Sequence, residues 1–202
     1  MFRDLKLEHI LVSSEGHIRL IDYGLARILN SPNEMCTTIC GTPGYVSPEV
    51  WRLGRQETSN GYSFPVDYWA IGKIFLEMLF GELFDSTEYE NELMNLVDNI
   101  PDYRRMSVEA QSLARGLLET DPDKRLGTPG SPHGDIRAHP FFRKGDGTNW
   151  QDVDDGVTKP IESKLTVRRK RRSDLKVSIV FHCSVIQVIR MILLIYHSRL
   201  QL

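Results

Sequence analysis

Two short apolar-rich runs, Ile10 to Val12 and His17 to Ile21, flank the polar stretch Ser13-Ser14-Glu15-Gly16. Runs this short on either side of a turn signal predict a β-hairpin. From Ala26 to Pro48 the chain is rich in Gly, Pro and Thr, which predicts a loop. Asp67 then opens a long apolar stretch that runs through Leu79 and ends at Gly81. Within it Ala70, Ile71, Ile74, Phe75, Met78 and Leu79 recur at helical spacing, with Asp67 near the start as a cap. This stretch is apolar nearly all round, so the helix is expected to lie buried at the centre of the protein. A further helix begins at Ser107. Ala110, Leu113, Ala114, Leu117 and Leu118 form one apolar face at i, i+3, i+4, i+7 and i+8, and Asp121-Pro122 ends it. A short helix around Ile136 and Arg137 stops before Pro140. There is no internal repeat.

Composition narrows the class only a little. A chain of 202 residues is long enough to bury a real core as one domain. Its formal net charge of -2 gives no reason to expect nucleic acid as a partner. Cys36, Cys40 and Cys183 are odd in number and scattered, so they do not form a disulfide framework. A reducing, cytoplasmic setting is the expectation. Cys36 and Cys40 lack companion His or Cys residues at zinc-site spacing. The N-terminus carries no signal-peptide pattern.

The ordered motifs change the picture far more. Arg3-Asp4-Leu5-Lys6 is followed, across the predicted hairpin, by Asp22-Tyr23-Gly24. Then come Thr38-Ile39-Cys40-Gly41-Thr42-Pro43, Ser47-Pro48-Glu49 and Asp67-Tyr68-Trp69-Ala70-Ile71-Gly72. Asp121-Pro122-Asp123-Lys124-Arg125-Leu126-Gly127 and His139-Pro140-Phe141-Phe142 close the series. An Arg-Asp pair alone is usually a surface ion pair. In this order and spacing the set resembles the serine/threonine protein kinases of the AGC group, and protein kinase C within it. The resemblance covers roughly Phe2 to Lys164, with Asn149-Trp150 through Pro160-Ile161 similar to the start of the AGC tail.

That resemblance implies a mainly α fold, the helical C-terminal lobe of a kinase with a small β-hairpin at its catalytic and metal-binding loops. It implies ATP and Mg²⁺ as cofactors and protein Ser or Thr as acceptor. Asp4 is the carboxylate expected to take the proton of the incoming hydroxyl, and Lys6 the cation expected at the transferring phosphate. Lys at that place is similar to the serine/threonine kinases. Asp22 is the expected Mg²⁺ ligand, with Gly24 supplying backbone freedom. Thr38 is the expected phosphorylated threonine, modified by an upstream activating kinase, with Arg3 answering its charge. Thr42 is expected to contact the loop near Asp4. Glu49 and Arg125 are expected to form a buried ion pair, and Asp67 to bond the backbone of the Arg3-Asp4 loop. These last three serve the architecture that supports the site.

Three departures qualify the resemblance. Phe2 stands where most kinases have His. His9 stands where the family has the Asn that binds a second Mg²⁺. Mg²⁺ takes hard oxygen ligands, whereas imidazole suits zinc, copper or iron, so an impaired metal site is expected. No Gly-rich loop, strand lysine or partner glutamate precedes Met1, so the expectation is a lobe without its phosphate-clamping half and impaired transfer in this chain alone. The rival readings are a pseudokinase or truncated kinase that binds partner proteins, and a fragment without function.

Residues 165–202 form a divergent tail beyond the 1–164 kinase-like region. It holds the basic cluster Arg168 to Arg172, read as a solvated charge run or a nuclear address. The apolar run Val177 to Tyr196 follows, about as long as a membrane span. It contains His182, Gln187 and Arg190, and an Arg near mid-bilayer costs about 3 kcal/mol. An anchor, an amphipathic surface segment and a peptide unrelated to the family compete here. The last is favoured, with an exposed apolar surface and no stable membrane span.

Overall fold

The computed structural model describes residues 1–14, 17–31, 33–80 and 106–143, with the shorter pieces 150–151, 155, 166–167, 179–180, 189–190 and 192. Near the start, β1 (Ile10–Val12) pairs antiparallel with β2 (Ile18–Leu20), with Ile10 opposite Leu20 and Val12 opposite Ile18. The Ser13 amide donates to the His17 carbonyl at 2.8 Å and closes the hairpin. Ile10 and Ile18 point into the core while Leu11 faces out, the alternation a half-buried ribbon requires.

The loop expected from Ala26 to Pro48 ends in a helix that the apolar pattern does not announce, α1 (Pro48–Gly54). Seven residues are too few to establish a period. Its start signal is Pro48 in the first turn, where proline's missing N–H costs nothing.

The central helix is α2 (Pro65–Phe80), buried from Pro65 through Leu76. Trp69, Ile71, Ile74 and Phe75 are wholly excluded from solvent, each contributing about 1.5–3 kcal/mol by burial. The helix begins two residues before Asp67, so Asp67 is not its cap. The carboxylate turns out of the first turn and serves another loop, described below. The helix end expected at Gly81 lies outside the described residues.

Helix α3 (Val108–Leu117) is capped by Ser107, whose Oγ accepts from the Ala110 amide at 3.2 Å. Its apolar face of Ala110, Leu113, Ala114 and Leu117 is buried against α2. Gly72 makes that close crossing feasible. A Cβ built there lies 2.9 Å from Leu117 Cβ and from Leu118 Cδ2. The short helix expected around Ile136 is two successive 3-10 turns, Ile136–Ala138 and Pro140–Phe142, because Pro140 removes the donor that would continue the first.

Arg125 locks these pieces together. Its guanidinium donates to Glu49 Oε1 at 2.7 Å and Oε2 at 2.9 Å, to the Pro65 carbonyl at 2.8 Å and to the Glu119 carbonyl at 2.9 Å. It also stacks over Trp69, 5.2 Å from the ring centroid. One buried side chain thus joins α1, the start of α2 and the segment after α3.

The tail is described in part, and the basic cluster Arg168 to Arg172 lies outside. β3 (Thr166–Val167) pairs antiparallel with β4 (Ile179–Val180). Ile189 and Ile192 are buried in the same core as α2 and α3, so the exposed apolar surface expected of the tail does not exist at these positions. Arg190 is buried between them. It donates to the Phe142 carbonyl and lies 5.9 Å from the Phe142 ring centroid and 5.7 Å from that of Trp150. A cation over aromatic faces and a carbonyl acceptor replace the water an arginine needs. Among the described residues, no helix is long and apolar enough to cross a membrane.

The Arg190 seat gives a first prediction. Arg190→Ala leaves the buried Phe142 carbonyl without this donor and is expected to cost about 1–3 kcal/mol, a fall of about 2–12 °C in Tm. Limited proteolysis should then cut near residue 190, where the unmodified chain resists. Unchanged melting and unchanged cleavage count against the seat.

Candidate active site

The loop Arg3 to His9 is held from below by α2. Asp67 Oδ2 accepts from the Phe2 amide at 2.6 Å and Oδ1 from the Arg3 amide at 2.8 Å. A carboxylate that accepts two backbone N–H groups fixes the chain direction there. Arg3 itself sits at φ 71°, a left-handed conformation that a residue with a Cβ adopts only when its surroundings compel it. Its Nε donates to the Leu25 carbonyl at 2.6 Å. Asp22, at φ 61°, is a second such residue. Gln56 is the third non-glycine with positive φ among the described residues, so two of three lie in this one region.

Three polar side chains converge above the loop. Lys6 Nζ donates to Thr42 Oγ1 at 2.8 Å, and Thr42 Oγ1 donates to Asp4 Oδ1 at 2.6 Å. Lys6 Nζ also lies 3.4 Å from Asp4 Oδ2. Thr42 can approach because Gly41 precedes it. At φ 116°, a Cβ on Gly41 would stand 3.0 Å from the Arg3 carbonyl and 3.1 Å from Val46 Cγ2. Glycine therefore seats the Thr38–Pro43 segment directly on the Arg3 backbone.

A second polar group lies beside the first. His9 ends the 3-10 turn Leu7–His9 and is buried. Its Nδ1 is 2.9 Å from the Asp4 carbonyl and its Nε2 is 3.5 Å from Asp22 Oδ2. The Asp22 side chain is 63% exposed and the His9 side chain 8% exposed, so the pair opens to solvent on the carboxylate side. Gly24 donates its amide to Asp22 Oδ1 at 3.3 Å. Phe2 packs on both partners' neighbourhoods, 5.1 Å from the Tyr23 ring and 6.1 Å from that of His9.

The donor set decides which metal this region fits. Asp22 offers the hard oxygen that Mg²⁺ takes, while His9 offers nitrogen where a second oxygen ligand is needed. Among the described residues no three His, Cys, Asp or Glu side chains converge on one cation. The residues present therefore do not fit a two-Mg²⁺ site.

Thr38 is exposed. Arg3 reaches its main chain indirectly, through Tyr62. Arg3 Nη1 is 3.5 Å from the Tyr62 hydroxyl, which donates to the Thr38 carbonyl at 2.5 Å and lies 3.5 Å from Cys40 Sγ. Burial pushes the Tyr62 phenol up to about 12, with the Cys40 contact adding to it. Glu49 and Arg125 pair below the same segment, as described for the fold.

One cluster escaped the motif reading. Tyr45 donates to Glu77 Oε2 at 2.5 Å, and its hydroxyl lies 3.5 Å from Glu8 Oε2. Burial raises the Glu77 carboxyl and the like charge of Glu8 adds to that, while the Tyr45 hydrogen bond and the positive charge of Lys73 oppose it. Two carboxylates facing one hydroxyl favour an incoming cation. The sequence signal is weak, because Glu77 shares the mostly apolar α2 with Asp67 and Lys73.

An aspartate held by Thr42 and Lys6, on a loop strained at Arg3 and pinned by a buried carboxylate, makes a candidate for the phosphoryl-transfer class. Consistent with that class, the protein kinase domain family model matches residues 1–142, and the chain belongs to this family. Among its relatives are proteins of the protein kinase C branch of the AGC group. Protein kinase C-like 1 of Caenorhabditis elegans is 37% identical over 163 residues, 79% of this chain and 22% of the relative. Protein kinase C of Drosophila melanogaster is 37% identical over 162 residues, 79% of this chain and 21% of the relative. Protein kinase C zeta type of Oryctolagus cuniculus is 37% identical over 155 residues, 71% of this chain and 25% of the relative. The chain thus spans between 21% and 25% of the length of these relatives.

Proposed function

We propose that this chain carries the acceptor-side half of a serine/threonine protein kinase and moves the terminal phosphoryl group of ATP to a protein hydroxyl. The observation that carries the reading is the Asp4–Thr42–Lys6 triangle, closed by contacts of 2.6, 2.8 and 3.4 Å. Asp4 Oδ2 takes the proton as the acceptor oxygen attacks. Thr42 holds Oδ1 and so orients the carboxylate. Lys6 sits beside the carboxylate and offsets charge on the transferring group. Asp22 suits one Mg²⁺, which, when bound, would neutralise phosphate charge. The mechanism requires donors that clamp the remaining phosphates. The exposed apolar side chains Leu11, Ile21, Tyr23 and Leu25 around Asp22 form a surface that a nucleotide-clamping lobe would cover.

Glu8 and Glu77 extend the reading to the substrate. Their carboxylates flank Tyr45, Glu8 from the turn that follows Lys6 and Glu77 from α2, and they suit a basic residue near the acceptor. Thr38, exposed and tied to Arg3 through Tyr62, is the site proposed for an upstream activating kinase. A second reading, a protein-binding module with impaired transfer, is favoured by His9 opposite Asp22.

The test joins this chain to the phosphate-binding lobe of a related kinase and offers basic peptides that differ only in the acceptor. Label from γ-labelled ATP is expected on Ser and Thr peptides, with the Tyr peptide at least about tenfold poorer, since a ring hydroxyl reaches further from its backbone than Asp4 is set to receive. Equal labelling of the Tyr peptide overturns the acceptor assignment.

A further inference from the structure

Ser47 carries a hydroxyl that makes no hydrogen bond among the described residues. The residue is 1% exposed, and its Oγ is buried without a partner. It stands just ahead of α1, where a serine side chain ordinarily accepts an amide of the first turn, yet no such bond forms. A hydroxyl buried with nothing to bond is costly, so native proteins pair nearly all of them with protein or with ordered water.

Ser47 is also set against space. It lines a cavity of about 20 Å³ whose wall includes the Arg3–Leu5 loop, residues from Cys40 to Ser47, and Val66, Asp67 and Ala70 of α2. A water needs at least about 10–15 Å³, so the space suits one. A buried water makes about three hydrogen bonds, and the same wall offers further polar residues in Asp4, Thr42 and Asp67. We propose that one structural water occupies this cavity, bonded to Ser47 Oγ, and ties the segment that carries Thr42 to the Arg3–Asp4 loop. Burial and hydrogen bonding carry this site, whatever reaction the chain performs. With the water in place the Ser47 hydroxyl stabilises the fold. In a dry cavity the same hydroxyl destabilises it, because its lost hydration is never replaced. The sign of one substitution therefore separates the two cases.

The experiment melts the full chain beside Ser47→Ala and Ser47→Cys, and determines the crystal structure of the unmodified chain at a resolution that shows ordered waters. The Ser47 side chain caps nothing, so neither substitution removes a helix cap. Ser47→Cys nearly keeps the shape and trades the hydroxyl for a weak donor, so it separates loss of the bond from loss of volume. The expected results are a water peak in the cavity about 2.5–3.0 Å from Ser47 Oγ, and a Tm lower by about 2–4 °C in each variant. Two results overturn the proposal. One is a crystal structure with ordered waters elsewhere and no density in this cavity. The other is a Tm equal to or above that of the unmodified chain in either variant, the outcome of deleting a buried hydroxyl that had no partner.

Discussion

Asp4→Asn is expected to lower kcat by about 10²–10⁴-fold in the chain joined to a phosphate-binding lobe, the range a positioned proton acceptor supplies. The amide keeps the shape of the carboxylate and can still accept from Thr42 Oγ1. What it loses is basicity and charge. Lys6 then faces a neutral group, and the acceptor hydroxyl has nowhere to deliver its proton. Because Asp4 is half-buried and its Thr42 contact survives, folding is expected to change little. The KM for the peptide should move less than kcat, since the proposed function has Asp4 act on the reacting atoms and Glu8 and Glu77 receive the peptide. Initial rates at several peptide concentrations, with the melting curve of the same sample, check both parts. A folded Asp4→Asn protein with full kcat removes Asp4 from its assigned role.

Glu49→Ala carries the largest expected loss of stability. Arg125 is wholly buried and keeps its charge, so removing its bidentate partner strands a cation in the core. Such a loss costs about 3–5 kcal/mol, out of about 5–15 kcal/mol for a whole domain. The Pro65 and Glu119 carbonyls still accept from Arg125, which keeps the cost from being larger. Urea unfolding followed by tryptophan fluorescence should show the midpoint moved down with the slope unchanged. The double variant Glu49→Leu with Arg125→Met removes the stranded charge. It is expected to be more stable than Glu49→Ala, short of full recovery because two carbonyls lose their donor. A Glu49→Ala protein as stable as the unmodified chain contradicts the view that this pair holds α1 to α2.

Long apolar rhythm made much of this fold legible. α2 and α3 repeat their apolar positions over 10 to 16 residues, enough turns for the pattern to stand above local noise. The hairpin was legible because a polar turn separates two short apolar runs. α1 was not, since seven residues hold fewer than two full turns. Asp67 misled as a cap because capping is a local signal, whereas its partners Phe2 and Arg3 lie 65 and 64 residues away. The seat of Arg190 was hidden for the same reason. The cost of Arg190 in lipid is visible in sequence, but its seat on Phe142 and Trp150 exists only after distant segments meet. At the site, ordered motifs pick out Asp4, Lys6 and Thr42, which the fold brings within hydrogen-bonding reach of one another. Glu77 has no motif of its own, and only the tertiary approach of Tyr45 and Glu8 makes it a candidate.

The measurement that bears most directly on the central claim follows the γ-phosphate of ATP to the acceptor oxygen in a single turnover. It uses the chain joined to a phosphate-binding lobe, with the His9→Asn variant alongside. The account predicts label on the Ser or Thr oxygen of a basic peptide, more of it in Mg²⁺ with His9→Asn because an oxygen ligand returns, and loss of that label when Asp4→Asn is added. Label that forms at the same rate with and without Asp4, in protein that melts normally, contradicts it.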